Sequence, residues 1–89
     1  MQEQSITIIN KLGLHARAAG KLVETTSRFG CDITIEKDGR NVDGKSIMAM
    51  MMLAAGKGTE ITIKANGDDE DNALVAIIDL INNRFGEEE

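Results

Sequence analysis

The sequence predicts a two-layer α+β fold, and three observations carry that prediction. Stretches that alternate apolar and polar residues interleave with stretches whose apolar residues recur at helical spacing, in the order β-α-β-β-α-β-α. The strands offer a single apolar face, so they read as a four-stranded sheet with helices laid on one side. The 89 residues suffice for one modest core but not for a second lobe or a deep catalytic cleft. With no repeat and no linker, residues 1–89 read as one domain.

Gln4 to Ile9 alternates, with Ile6 and Ile8 on one face, and forms the first strand. From Ala16 the spacing becomes helical, through Ala18, Ala19, Leu22, Val23 and Thr26, and the helix runs to about Arg28. Gly30 suits a left-handed C-terminal turn. Cys31 to Lys37 alternates again, with Cys31, Ile33 and Ile35 inward. Lys37-Asp38-Gly39-Arg40 supplies an Asp-Gly hairpin turn into a short antiparallel strand, Asn41 to Asp43. Ser46 is the N-cap of a second helix, about Ile47 to Ala54, which Gly56-Lys57-Gly58 closes. Glu60 to Ala65 is the last strand, with Ile61, Ile63 and Ala65 inward, and Asn66-Gly67 turns out of it. Asp68 and Asp69 cap a long third helix with an apolar stripe at Ala73, Leu74, Ile77, Ile78 and Ile81. Arg84 falls near its end, and Glu87-Glu88-Glu89 reads as a frayed acidic tail.

Composition narrows the function. A net charge of −5, no tryptophan and no tyrosine argue against nucleic acid, which favours a basic face and aromatic platforms for bases. No apolar stretch is long enough to span a bilayer, and Met1 to Ser5 lacks the basic and apolar regions of a signal peptide, so a cytoplasmic location is expected. The lone Cys31 can form neither an internal disulfide nor a cysteine-based metal site, and packs in the core. Neither metal ligands nor a nucleotide-binding glycine loop is visible.

The only histidine lies in Gly13-Leu14-His15-Ala16-Arg17, where a loop turns into a helix. Gly13 permits the turn and His15 precedes the first helical residues. The unpaired amides there, including those of Ala16 and Arg17, and the positive end of the helix dipole form a ready site for an anion such as phosphate. That potential disfavours imidazolium, so a neutral nucleophilic ring is expected at pH 7. Arg17 adds a fork of donors suited to phosphate oxygens. Spacing alone leaves the alternatives open: such a histidine is more often a surface residue or weak cap, and a lone arginine more often faces water. The helix Ile47 to Leu53, with Met48, Met50, Met51 and Met52, shows no polar face. Core packing is the default for any one methionine, but so small a domain has little material to cover all four, and some of them are expected at the surface.

The run Lys11 to Ala19, K-L-G-L-H-A-R-A-A, resembles the active-site signature of the HPr family, the histidine-containing phosphocarriers of the bacterial phosphoenolpyruvate:sugar phosphotransferase system. A second run, G-K-S-I-M-A-M-M-M-L from Gly44 to Leu53, resembles that family's second helix with its regulatory serine. The resemblance extends from about Ser5 to Phe85. It implies an antiparallel open-faced β-sandwich with three helices on one side. It implies a carrier rather than an enzyme, without cofactor or metal: His15 takes a phosphoryl group on Nδ1 from enzyme I and passes it to an EIIA protein or domain. The sequence itself does not distinguish the two ring nitrogens. By the same resemblance Ser46 is a target of an HPr kinase/phosphorylase, while on its own it reads as an N-cap. The resemblance also implies that Ile47, Met48 and Met51 form a partner-docking patch flanking His15, and a monomer is expected because a carrier must present one face to successive partners. One departure is Ala18, where most relatives carry proline early in the helix; alanine is expected to soften helix entry without removing chemistry. Other readings are the nitrogen-regulatory branch of the same family, a non-catalytic adaptor, and an acylphosphatase-like hydrolase, for which no arginine-bearing phosphate loop with a partner asparagine is found.

Overall fold

The computed structural model describes residues 1–89. Its elements follow the expected order: β1 Gln2–Thr7, α1 Ala16–Thr26, β2 Asp32–Lys37, β3 Arg40–Asp43, α2 Ile47–Met52, β4 Glu60–Asn66 and α3 Glu70–Asn82, then a 3-10 turn at Arg84–Gly86. The sheet is antiparallel throughout in the order β1-β4-β2-β3, so the last strand is inserted between the first two. Its register sets Ile6 opposite Ile61 and Ile35 opposite Ile63, which gathers apolar side chains on one face. Polar pairs hold the other face: Ser5 Oγ lies 3.0 Å from Thr62 Oγ1, and Lys64 Nζ 2.6 Å from Glu36 Oε1. All three helices cover the apolar side. Leu22 of α1, Met50 of α2 and Ile77 and Ile81 of α3 meet Ile35, Ile61 and Ile63, all essentially out of water. Each such side chain contributes roughly 1.5–3 kcal/mol of apolar burial.

The β2–β3 hairpin turns as its Asp-Gly pair predicts, with φ +52° at Asp38 and +81° at Gly39, the signature of a type I′ turn. Cys31 is buried as expected, and desolvation first, then the neighbouring Asp69, pushes its thiol pKa up. Other boundaries differ. β1 ends at Thr7, yet Ile8 continues the pairing with a loop: its amide donates to Thr59 O at 2.9 Å and its carbonyl accepts from Gly58 N at 2.7 Å. α1 closes at Thr26, the amides of Arg28 and Phe29 reaching back only three residues, and Gly30 is not left-handed. α2 stops at Met52 because its last amides reach back three residues and Ala54 takes φ +53°, so a left-handed alanine ends the helix before Gly56.

Two further corrections concern groups that tie distant segments together, and the second bears on the site. Asp69 stands at the start of α3 but does not cap it: its carboxylate accepts from the amides of Gly30 at 2.9 Å and Cys31 at 3.0 Å, tying the α1–β2 loop to the helix. The acidic tail is not frayed. Phe85 is fully buried and its carbonyl accepts from Lys21 Nζ at 2.6 Å, while Glu89 O accepts from Lys11 N at 2.6 Å. An apolar anchor and two hydrogen bonds therefore bring Glu87 back across the start of α1.

Candidate functional site

Gly13 makes the approach to the site. It has φ +64°, and a Cβ there would fall 2.5 Å from Ala55 O and 2.7 Å from Gly56 Cα. Only glycine allows the backbones to pass so closely. Leu14 then buries its side chain and donates its amide to Ala55 O at 2.9 Å. His15 follows as the N-cap of α1 in extended geometry (φ −75°, ψ 177°), its carbonyl accepting from Ala19 N at 2.8 Å and its ring making no cap bond. The amides of Ala16 and Arg17 find no acceptor in the chain. Ala18 lies in the first turn and is fully buried, and the helix begins at Ala16 without a proline.

The ring is held by a group that sequence reasoning missed. His15 Nε2 is 2.5 Å from Glu87 Oε2, with the imidazole 28% and the carboxylate 15% exposed. The other oxygen, Glu87 Oε1, accepts from Asn10 Nδ2 at 3.0 Å, and the same nitrogen donates to Gly13 O at 2.9 Å. Asn10 is fully buried. Nδ1 of His15 makes no hydrogen bond within the chain. Hydrogen bonds from Asn10 first and His15 second hold the Glu87 carboxyl below the usual carboxylate range. The sequence expectation of a ring governed by the helix terminus alone is therefore incomplete, since a carboxylate of opposite electrostatic sign touches the far edge. Nothing in a run of three glutamates singles out the first, Glu87, as the one that makes the contact. Asn10, three residues before Gly13, carries a weak turn signal and no more.

Arg17 is exposed and forms no ion pair; it lines a shallow cleft with Lys11, Leu12, His15 and residues 86–89. Ser46 is the N-cap of α2, its Oγ accepting from Ala49 N at 3.2 Å. Of the apolar helix, Met50 alone among the methionines is buried; Ile47, Met48 and Met51 are exposed as expected, and Met52 joins them at 60%. α2 is tied to the His15 loop at its C-terminal end, through Ala55. No helix is long and apolar enough to cross a membrane.

A family model described as "PTS HPr component phosphorylation site" matches residues 2–83. The chain belongs to the HPr family. It is 56% identical to the phosphocarrier protein HPr of Pseudomonas aeruginosa over 90 residues, covering all of both chains. The crystal structure of HPr-C-His from Thermoanaerobacter tengcongensis superposes with a TM-score of 0.97 at 47% identity, again over the whole of both chains. An HPr dimer from the same organism matches with a TM-score of 0.79 over 98% of this chain and 100% of that one. HPr proteins are phosphocarriers, and the four-stranded open sheet with three helices is their fold.

Proposed function

We propose that His15 is the phosphoryl acceptor of a phosphotransferase system, charged by phosphorylated enzyme I and discharged to a histidine of an EIIA protein or domain. The observation that carries this reading is an Nδ1 of His15 with no partner in the chain, on the residue that leads into the unpaired amides of Ala16 and Arg17, with the unpaired Arg17 side chain lining the same cleft. In-line transfer between two nitrogens asks for positioning and for donors around the moving phosphoryl oxygens; the amides and the guanidinium supply both. The exposed Ile47, Met48 and Met51 serve as the docking face, flexible side chains that suit successive partners. The carrier acts in the cytoplasm as a monomer, and sedimentation should give the mass of one chain. Intact mass after incubation with enzyme I and phosphoenolpyruvate tests the assignment. One acid-labile phosphate is expected, absent from His15→Ala; normal uptake by that variant overturns it.

A second reading concerns Ser46, favoured by its half-exposed place at a helix N-cap, where added negative charge is tolerated. Phosphorylation there by an HPr kinase/phosphorylase regulates the carrier. α2 is about 9 Å long, and Ser46 sits at the end away from Ala55. Its charge therefore acts on the docking face rather than on the ring. Ser46→Asp is expected to keep the fold and weaken phosphorylation by enzyme I through a higher half-saturating concentration. Unchanged kinetics count against the switch.

A further inference from the structure

We infer that Glu87 is a positioning residue for phosphoryl transfer, presented by Asn10, which holds the proton of His15 on Nε2 and the lone pair of Nδ1 toward the incoming group. This rests on the reading of His15 as the acceptor. The geometry is specific. Two donors, Asn10 Nδ2 at 3.0 Å and the Nε2 edge of His15 at 2.5 Å, converge on the two oxygens of one carboxylate. A carboxylate accepts and cannot donate, so an imidazole paired with it carries its proton on Nε2. Asn10 is itself fixed: it is fully buried and also bound to Gly13 O at 2.9 Å, the carbonyl two residues before the ring. The chain around the tail is secured independently by buried Phe85 and by the Lys21 bond to its carbonyl.

The transfer step shows why a carboxylate belongs there. The Nδ1 lone pair forms the new N–P bond as the P–N bond to the donor imidazole breaks, and that bonding pair returns to the donor nitrogen. The donor ring, protonated on its other nitrogen, leaves neutral. The His15 ring then holds the phosphoryl group on Nδ1 and the proton on Nε2, and has gained one positive charge. That charge develops in hydrogen-bond contact with Glu87, so the interaction is stronger in the transition state than before it. The negative phosphoryl oxygens lie across the ring, met by Arg17 and the two free amides.

The test uses the full chain, Glu87→Ala and Glu87→Gln. In protein labelled with nitrogen-15 at histidine, the Nε2–H proton of the wild type should be visible and slow to exchange with water, and should vanish in Glu87→Ala. At saturating phosphorylated enzyme I the acceptance rate should fall roughly fivefold to tenfold in Glu87→Ala, with the half-saturating concentration unchanged. Glu87→Gln, with one acceptor for two donors, should fall between. A rate that stays the same in Glu87→Ala overturns the inference. So does a faster rate, which would mark the tail as a strap that partners displace, and so does a wild-type Nε2–H that exchanges as fast as the variant's. Failure of the wild type to take phosphate would instead overturn the reading of His15 itself.

Discussion

Replacing Gly13 by alanine tests whether the close passage of two backbones sets the position of His15. The new methyl would sit 2.5 Å from Ala55 O, about 0.9 Å short of ordinary contact at 3.4 Å. Alanine at φ +64° costs about 1 kcal/mol by itself. Relief of the clash requires segment 55–56 to retreat, which lengthens or breaks the Leu14 N to Ala55 O bond of 2.9 Å. A buried amide left without its partner costs a further 1–3 kcal/mol or so. The total is about 3 kcal/mol against a stability of roughly 5–13 kcal/mol for a domain of this size. With a urea slope near 1–1.5 kcal/mol/M, the denaturation midpoint should fall by about 2–3 M. The same displacement moves His15 relative to α1, so acceptance of phosphate should drop although the ring is intact. A midpoint lowered by less than about 0.5 M would mean that the loop yields freely and the contact does not fix the site.

Arg17→Ala should retain phosphoryl acceptance but slow it roughly tenfold, the loss of one charge-assisted contact of about 1.4 kcal/mol; rapid-quench rates with phosphorylated enzyme I measure it, and a full-speed variant would return Arg17 to the solvated surface. Asp69 gives a pH-dependent prediction. Its carboxyl is held below the usual range by the Gly30 amide first and by the Cys31 thiol and amide next. A folded-state value below the unfolded one, about 3.9, gives stability that is complete above that pH and lost as pH falls through the folded value. Wild type should therefore exceed Asp69→Asn by more at pH 7 than at about pH 2.5, and thermal melts that run parallel across that interval would refute the link.

The parts of the molecule that depend on neighbours along the chain were legible. Period-two strands, the Asp38-Gly39 turn and the Ser46 cap all follow from residues within a few positions of one another; the turn and the cap stand where the sequence places them, as do the strands apart from shifts at their ends, the largest in β1, which runs Gln2–Thr7 rather than Gln4 to Ile9. The placement of His15 and Arg17 at the start of α1 was legible because a helix terminus is a local feature. What escaped depends on distant pairings. Asp69 reads as a cap for its own helix, yet finds amides 38 and 39 residues away. Glu87 reads as solvated acid and lies 72 residues from its partner, brought there by the burial of Phe85, which no local pattern announces. The exposure of Met48, Met51 and Met52 against the burial of Met50 is likewise decided by which side of α2 the sheet and α1 cover, and the six-residue helix offers no polar face to mark the other.

The strand order and the returning tail also govern when the protein becomes competent. β1 has its sheet partner in β4, completed at Asn66, and the ring at His15 has its partner at Glu87. At ribosomal speeds of about 5–20 residues per second, His15 is synthesised roughly 4–14 s before the residue that touches it. A nascent chain thus carries a bare ring on an unfinished scaffold, and a product ending short of Phe85 lacks both the apolar plug and the carboxylate behind it. The topology thus makes the surroundings of His15 depend on residues synthesised long after it, Phe85 and Glu87.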